Sequence, residues 1–300
     1  MYVFVLGDNT VPEEVDVLDE SLGTTNTVRL PSGEVAYTER GSGPPVVFVH
    51  GLLVNANLWR KVVPAIAEAG FRCIAPDLPL GAHRVPMPPE ADLSPPGVAA
   101  LIAEFLTALD LDDVTVVAND TGGAITQILM ANHPERIGRV VLTPCDAFED
   151  FLPQPFTPLP ALVRTVPGAV WFAGLLLRLP AVQRLPVGFG WLAKRGIPAE
   201  IIDSYLRPTR DSRLIRRDTT RFIAGVHNKY TLAAAESLGS FGKPVLLVRA
   251  GDDRVFPPRL FDRLAETLPD ARLVTVPDSY TFVSEDQPAE LARLVVEFAG

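Results

Sequence analysis

Histidine and cysteine, the residues that most often carry proton transfer and disulfides, are scarce in this chain. Its 300 residues hold four histidines, His50, His83, His133 and His227, and two cysteines, Cys73 and Cys145. No histidine follows His227, so chemistry in the C-terminal stretch must proceed without an imidazole of its own. Both cysteines sit in apolar, strand-like runs, FRCIAP and VVLTPCD, which suit buried free thiols better than a disulfide and fit a reducing cytoplasm. Long apolar runs are missing as well: the stretch from Pro167 to Leu179 is interrupted by Pro167, Gly174 and Arg178, so no membrane-spanning helix is expected. The opening MYVFVLGDNTVPEEVDVLDE lacks a basic start and breaks at Gly7 and Asp8, unlike a signal peptide. Positive charge is in deficit, 27 basic against 36 acidic side chains and a net −9, which repels nucleic acid and anionic membranes unless a local basic patch overrides it. Neither is expected as a partner; a monomer or homodimer acting on a small molecule is.

With 47 % hydrophobic and 21 % charged residues, the chain can bury one large core and carry an insertion. TVRLPSG and EVAYTER read as a hairpin around Pro31, Ser32 and Gly33. Apolar runs then alternate with helical patterns: Val46–Val49, a helix from Trp59 to Ala69, CIAP, a helix from Gly97 to Leu109, VTVVAN, a helix from Gly123 to His133, and RVVLTP. That rhythm predicts an α/β fold with a mostly parallel sheet covered on both faces. It stops between about Asp146 and Gly225, where apolar helical patterns, prolines and a basic stretch from Arg207 to Arg221 suggest a lid, and resumes with PVLLVRAG, helices from Pro258 to Leu268 and Pro288 to Phe298, and ARLVTVP between them. The expected organisation is an N-terminal extension over 1–25, a core over 26–145 and 226–300, and a helical cap over 146–225. The basic stretch is expected to be a solvated helix face paired with Asp211 and Asp218.

VTVVAN runs directly into DTGGAITQILM, which puts Asp120 at a strand-to-helix corner with Ala118, Gly122 and Gly123 around it. A sharp corner needs small neighbours where strand and helix pass each other, and it pushes the corner residue outward. Capping of the following helix is the simpler role for an Asp at that place.

The segments VVFVHGLLVNANLWRKVVPAI, CIAPDLPLGAHR, VTVVANDTGGAITQILMANHPERIGRVVL, PVLLVRAGDDRVFP and PDSYTFVSEDQPAEL together resemble the α/β-hydrolase fold, in the aspartate-nucleophile branch of haloalkane dehalogenases and epoxide hydrolases. The resemblance covers nearly the whole chain after Thr25. It implies Asp120 as nucleophile, an oxyanion hole from the backbone N–H groups of Leu52 and Thr121, and an acid at Asp253, four residues before Pro257. Asp252 is a plainer alternative for the acid, and Asp146, after RVVLTP, a second candidate. No metal or cofactor is implied. At the family's histidine position stands Thr281, within DSYTF, and a threonine hydroxyl cannot activate water near neutral pH.

Other groups could reach the pocket. His50 belongs to the oxyanion loop and His227 to the return from the lid; Asn55 and Trp59 could offer N–H donors; Tyr205 and Tyr280 could offer phenols. The lid aromatics Phe148, Phe151, Phe156, Trp171, Phe172, Phe189 and Trp191 suggest a partly apolar pocket. Thr121 also replaces the tryptophan that helps dehalogenases hold halide. Three readings stay open: a hydrolase with a divergent catalytic set in which Asp120 is nucleophile or base, a lyase, isomerase or cyclase in which Asp120 moves a proton, and a silent ligand-binding protein.

Overall fold

A computed structural model describes residues 18–300. The opening segment considered for a signal peptide, and most of the expected extension over 1–25, lie outside the described residues. Eight strands form one sheet: Thr24–Leu30 (β1), Gly33–Arg40 (β2), Pro45–Val49 (β3), Arg72–Pro76 (β4), Val114–Asp120 (β5), Ile137–Cys145 (β6), Val245–Ala250 (β7) and Ala271–Val276 (β8). Their order is β1-β2-β4-β3-β5-β6-β7-β8. β1 and β2 make the expected hairpin, with Leu30 opposite Gly33, and β2 pairs antiparallel with β4. All other pairs are parallel.

Helices fill the crossovers: Val63–Glu68 (α1), Pro95–Ala108 (α2), Thr121–Asn132 (α3), Leu159–Thr165 (α4), Ala169–Leu176 (α5), Pro180–Gln183 (α6), Ala199–Asp211 (α7), Arg213–Gly225 (α8), Lys229–Leu238 (α9), Pro258–Thr267 (α10), Val283–Asp286 (α11) and Pro288–Ala299 (α12). α1 packs on α12, and α2 and α9 pack on α3. The central strands are covered on both sides: Val114, Val116 and Val117 of β5 are fully buried, as β-branched runs in a parallel sheet must be. None of the helices among the described residues is long and apolar enough to cross a membrane. Cys73 and Cys145 are buried free thiols.

Two expectations change. The helix predicted from Trp59 to Ala69 is a 3-10 segment, Ala56–Trp59, followed by the shorter α1. Asn55 caps the first through its side chain, and Pro64 opens the second, so the chain turns twice where periodicity suggested one axis. The basic stretch is also not simply a solvated face. Asp218 is fully buried and accepts from the Met87 N–H at 2.8 Å, while Arg217 and Arg221 donate to the carbonyls of Met87 and Ala91. These contacts tie α8 down onto the loop after β4.

The corner between β5 and α3 is tightly packed. A methyl on Gly122 would stand 2.4 Å from the His50 carbonyl oxygen and 2.6 Å from that of Val49, and one on Gly123 2.2 Å from Cys145 Cβ. Backbone atoms cannot yield to such a contact as flexible side chains do. Gly122→Ala should therefore lower stability by about 1–3 kcal/mol, read as a fall in melting temperature. Gly242→Ala, with nothing within 4 Å of its new methyl, should be close to neutral in the same measurement.

Candidate active site

Asp120 ends β5 with φ 56° and ψ −135°, a left-handed conformation that costs a non-glycine residue about 1–3 kcal/mol. The surroundings enforce it: an atom added to Gly51 would meet Asp120 Cβ at 2.6 Å, and α3 starts at the next residue. Asp120 Oδ1 accepts from the Thr121 N–H, so Asp120 also caps α3. The Leu52 N–H is a second donor to the carboxylate. Burial raises the Asp120 pKa and these N–H groups pull it back.

Asp120 is half-buried because its carboxylate opens into a cavity of about 310 Å³. Among the described residues, Asp120 and Asp146 are the only polar side chains in its lining, and no Lys, Arg or His borders it. Asp146 follows Cys145, the register partner of Asp120 on the neighbouring strand. It is 1 % exposed. Its Oδ1 accepts from the Leu152 N–H at 2.8 Å, and its Oδ2 has no hydrogen-bond partner among the described residues. Burial, then the negative charge of Asp120, pushes the Asp146 pKa well above the usual carboxylate value. Asp146 is thus pushed up further than Asp120, and the N–H donors favour the pair's negative charge on Asp120. Left-handed backbone is found at Leu53, Asp120 and Leu152, all three in the cavity wall. Such strain is typical of sites that fix side-chain direction.

Asp253 and Thr281 meet outside this lining. Thr281 Oγ1 donates to Asp253 Oδ1 at 3.0 Å, and the N–H groups of Val255 and Phe256 donate to the same oxygen at 2.8 and 3.0 Å. Asp253 Oδ2 is buried with no partner among the described residues. Burial raises this carboxyl to about 6. The loop carrying Thr281 is firmly held. Glu285 forms a buried two-point ion pair with Arg60, with Nη2 to Oε2 at 2.8 Å. Asp286 accepts from the N–H groups of Tyr280, Lys194 and Arg195 at 2.9–3.0 Å. Asn119 Nδ2 bridges the Pro144 and Thr281 carbonyls at 3.0 and 2.9 Å. None of these anchors was singled out from sequence. Glu285 and Asp286 in VSEDQP offered the only signal, as two adjacent carboxylates just after DSYTF.

The remaining predicted residues stand apart from the cavity. His50 is fully buried; its Nε2 accepts from the Leu78 N–H at 2.9 Å, so Nδ1 carries the proton donated to the Gly51 carbonyl at 2.9 Å. Burial lowers its pKa, and it supports the loop bearing Leu52. Asn55 donates to the Ser204 carbonyl at 3.2 Å, and Trp59 packs on Phe48 with ring centroids 5.3 Å apart. Tyr205 is buried against Phe189 at 6.0 Å, and burial raises its phenol pKa. Tyr280 packs beneath the Arg254 guanidinium, 4.7 Å from its ring centroid. His227 is exposed, with Nδ1 accepting from the Lys229 N–H at 3.1 Å. None of these six groups is in the cavity's lining, contrary to expectation: they are held in packing, in local hydrogen bonds or at the surface, with Trp59 Nε1 and Tyr205 Oη buried and unpartnered among the described residues. Of the lid aromatics, Phe156 and Phe189 reach the cavity, whereas Trp171 and Phe172 face outward, 46 % and 56 % exposed.

The sheet order, the strained corner after β5 and the helical insertion after β6 define an α/β-hydrolase. The chain belongs to the α/β-hydrolase fold family, whose model matches residues 44–288. Over 274 residues, 89 % of this chain and 92 % of the relative, it is 28 % identical to haloalkane dehalogenase 2 of Mycobacterium tuberculosis. Among solved structures it is similar to an α/β-hydrolase fold protein from Burkholderia ambifaria, with TM-score 0.74 and 23 % identity over 91 % of this chain and 97 % of that one. It is similar also to the epoxide hydrolase CorEH, with TM-score 0.74 and 21 % identity over 92 % and 98 %.

Because folding raises the Asp253 carboxyl from 3.8 to about 6, the folded state binds that proton more tightly than the unfolded chain. Its contribution to stability is therefore largest at low pH and falls, by up to about 3 kcal/mol, as pH rises from about 4 to about 6. Asp253→Asn removes this dependence. Across that window the wild type should lose melting temperature relative to Asp253→Asn; parallel curves would contradict the assignment.

Proposed function

We propose that the protein is an enzyme acting on a hydrophobic small molecule through Asp120, as nucleophile or general base, in a site that uses no histidine. The observation that carries this is the placement of a strained Asp120 in the wall of a cavity otherwise lined by apolar groups and Asp146. Apolar walls favour an apolar guest, and a carboxylate stripped of bulk water reacts more readily with carbon than a hydrated one. The similarity to a haloalkane dehalogenase and to an epoxide hydrolase supports chemistry at saturated carbon. The helices between β6 and β7 serve as the cap, with Phe156, Leu176 and Phe189 closing the cavity above Asp120. A reducing cytoplasm suits the chain, since burial pushes the Cys73 thiol up to about 12 and leaves it unreactive.

Attack by Asp120 on carbon would give an alkyl ester, with the ester carbonyl oxygen facing the Leu52 and Thr121 N–H groups. Thr281 is hydrogen-bonded to Asp253 where the family keeps its base, and its hydroxyl cannot take a proton from water. With an alkyl halide the ester should therefore persist. Intact-protein mass spectrometry after exposure to bromohexane should show one added hexyl group on the wild type and none on Asp120→Asn. Absence of any adduct, together with deuterium exchange into a turned-over substrate, would favour the proton-transfer reading, in which Asp120 is only a base. Thr281→His places an imidazole beside the unpartnered Asp253 Oδ2 and should shorten the adduct's lifetime, as seen in a time course of the same mass peak.

A further inference from the structure

A buried carboxyl with one unpartnered oxygen, in the wall of the cavity that Asp120 lines, can do more than the supporting acid role that the family resemblance offers it. Asp146 Oδ1 is occupied by the Leu152 N–H, while Oδ2 is unpartnered in the cavity that Asp120 also lines. The turn that holds it is built locally: Ala147 and Asp150 exchange backbone hydrogen bonds, and left-handed Phe148 and Leu152 bend the chain back over the carboxyl. Gln127 fixes the strand end by donating to the Asp146 carbonyl at 2.8 Å. The charged and titratable groups acting on it are Asp120, Asp150 and Cys145, with no cation among them.

We infer that Asp146 is a catalytic residue, the proton donor to the leaving atom and afterwards the base that activates water, and that the site consequently prefers substrates whose leaving atom is an oxygen that must be protonated, as in a strained cyclic ether. This deepens the proposed role of Asp120 and rests on it. In the first step the Asp120 carboxylate forms a bond to carbon, the carbon–oxygen bond breaks, and the Asp146 carboxyl proton goes to that oxygen. The products are an Asp120 ester and an Asp146 carboxylate. In the second step Asp146 takes a proton from water and the hydroxide adds to the ester carbonyl. Collapse breaks the bond between the carbonyl carbon and the alkyl oxygen, and the proton left on Asp120 passes to the departing alkoxide. The balance is one water consumed and both carboxyl groups returned to their starting states.

The same geometry is unfavourable for a halide. A departing halide needs N–H donors in place of water. The side chains of Asn55 and Trp59 do not reach the cavity, and the donors at Leu52 and Thr121 are turned to Asp120. A halide also needs no proton, so its departure leaves Asp146 protonated and unable to act as a base for the ester. Epoxide and halide thus separate by mechanism: the first regenerates its own base and the second does not.

The experiment compares styrene oxide with bromohexane on the wild type, Asp146→Asn and Asp120→Asn. Asparagine keeps an acceptor for the Leu152 N–H, and melting temperature checks that the variant is folded. The wild type should convert styrene oxide to diol over many turnovers, with one oxygen from labelled water, and stop after one alkylation by bromohexane. Asp146→Asn should lose epoxide turnover by about 100-fold or more, the usual scale of proton-transfer catalysis, yet still be alkylated by bromohexane. Epoxide turnover in Asp146→Asn within a few-fold of wild type overturns the inference while leaving Asp120 as nucleophile. Sustained bromohexane hydrolysis by the wild type overturns it as well. Failure of both probes to react with the wild type overturns the reading of Asp120 itself.

Discussion

Two carboxyl groups share one apolar cavity that no cationic side chain among the described residues borders, and this constraint orders the rest of the site. Both cannot be charged without bulk water or a counter-ion, so the surroundings decide which one is. Asp120 has the N–H groups of Thr121 and Leu52 and the start of α3; Asp146 has a single N–H donor and full burial. The negative charge is therefore favoured on the residue that the corner after β5 drives into the cavity. Strain at Asp120 and close packing at Gly51, Gly122 and Gly123 keep that direction fixed, as a nucleophile or base must be.

The second pair, Asp253 and Thr281, joins a buried carboxyl to a hydroxyl. Its loop is anchored by the Arg60–Glu285 ion pair, by the backbone donors to Asp286 and by Asn119, and none of these contacts involves an imidazole. Thr281 thus sits in a well-supported loop as a hydroxyl donor to Asp253 and offers no proton acceptor of an imidazole's strength. Within the account proposed here, proton transfer moves to the other side of Asp120, to the end of β6.

Much of this was legible in the residue pattern, and what was missed has physical reasons. The run VTVVANDTGGA announces the corner because only small residues permit it, and the spacing of Asp253 and Thr281 brings them to 3.0 Å. The sheet alternation is equally plain, since parallel strands buried on both faces are continuous apolar runs. Asp146 was visible only as a second acid, because its orientation depends on left-handed turns at Phe148 and Leu152 that composition does not reveal. Periodicity could not separate cavity from core for Trp59 or Tyr205, as an aromatic ring serves either. His227 stood near the cavity in sequence but lies at the surface, where it caps the approach to α9.

The central claim is that Asp146 is neutral and Asp120 ionised in the resting protein near neutral pH. Infrared difference spectroscopy between wild type and Asp146→Asn tests it without any substrate. The account requires a protonated-carboxyl carbonyl band at neutral pH that is present in the wild type and absent from Asp146→Asn. A difference spectrum showing only ionised carboxylate bands lost on substitution would contradict it.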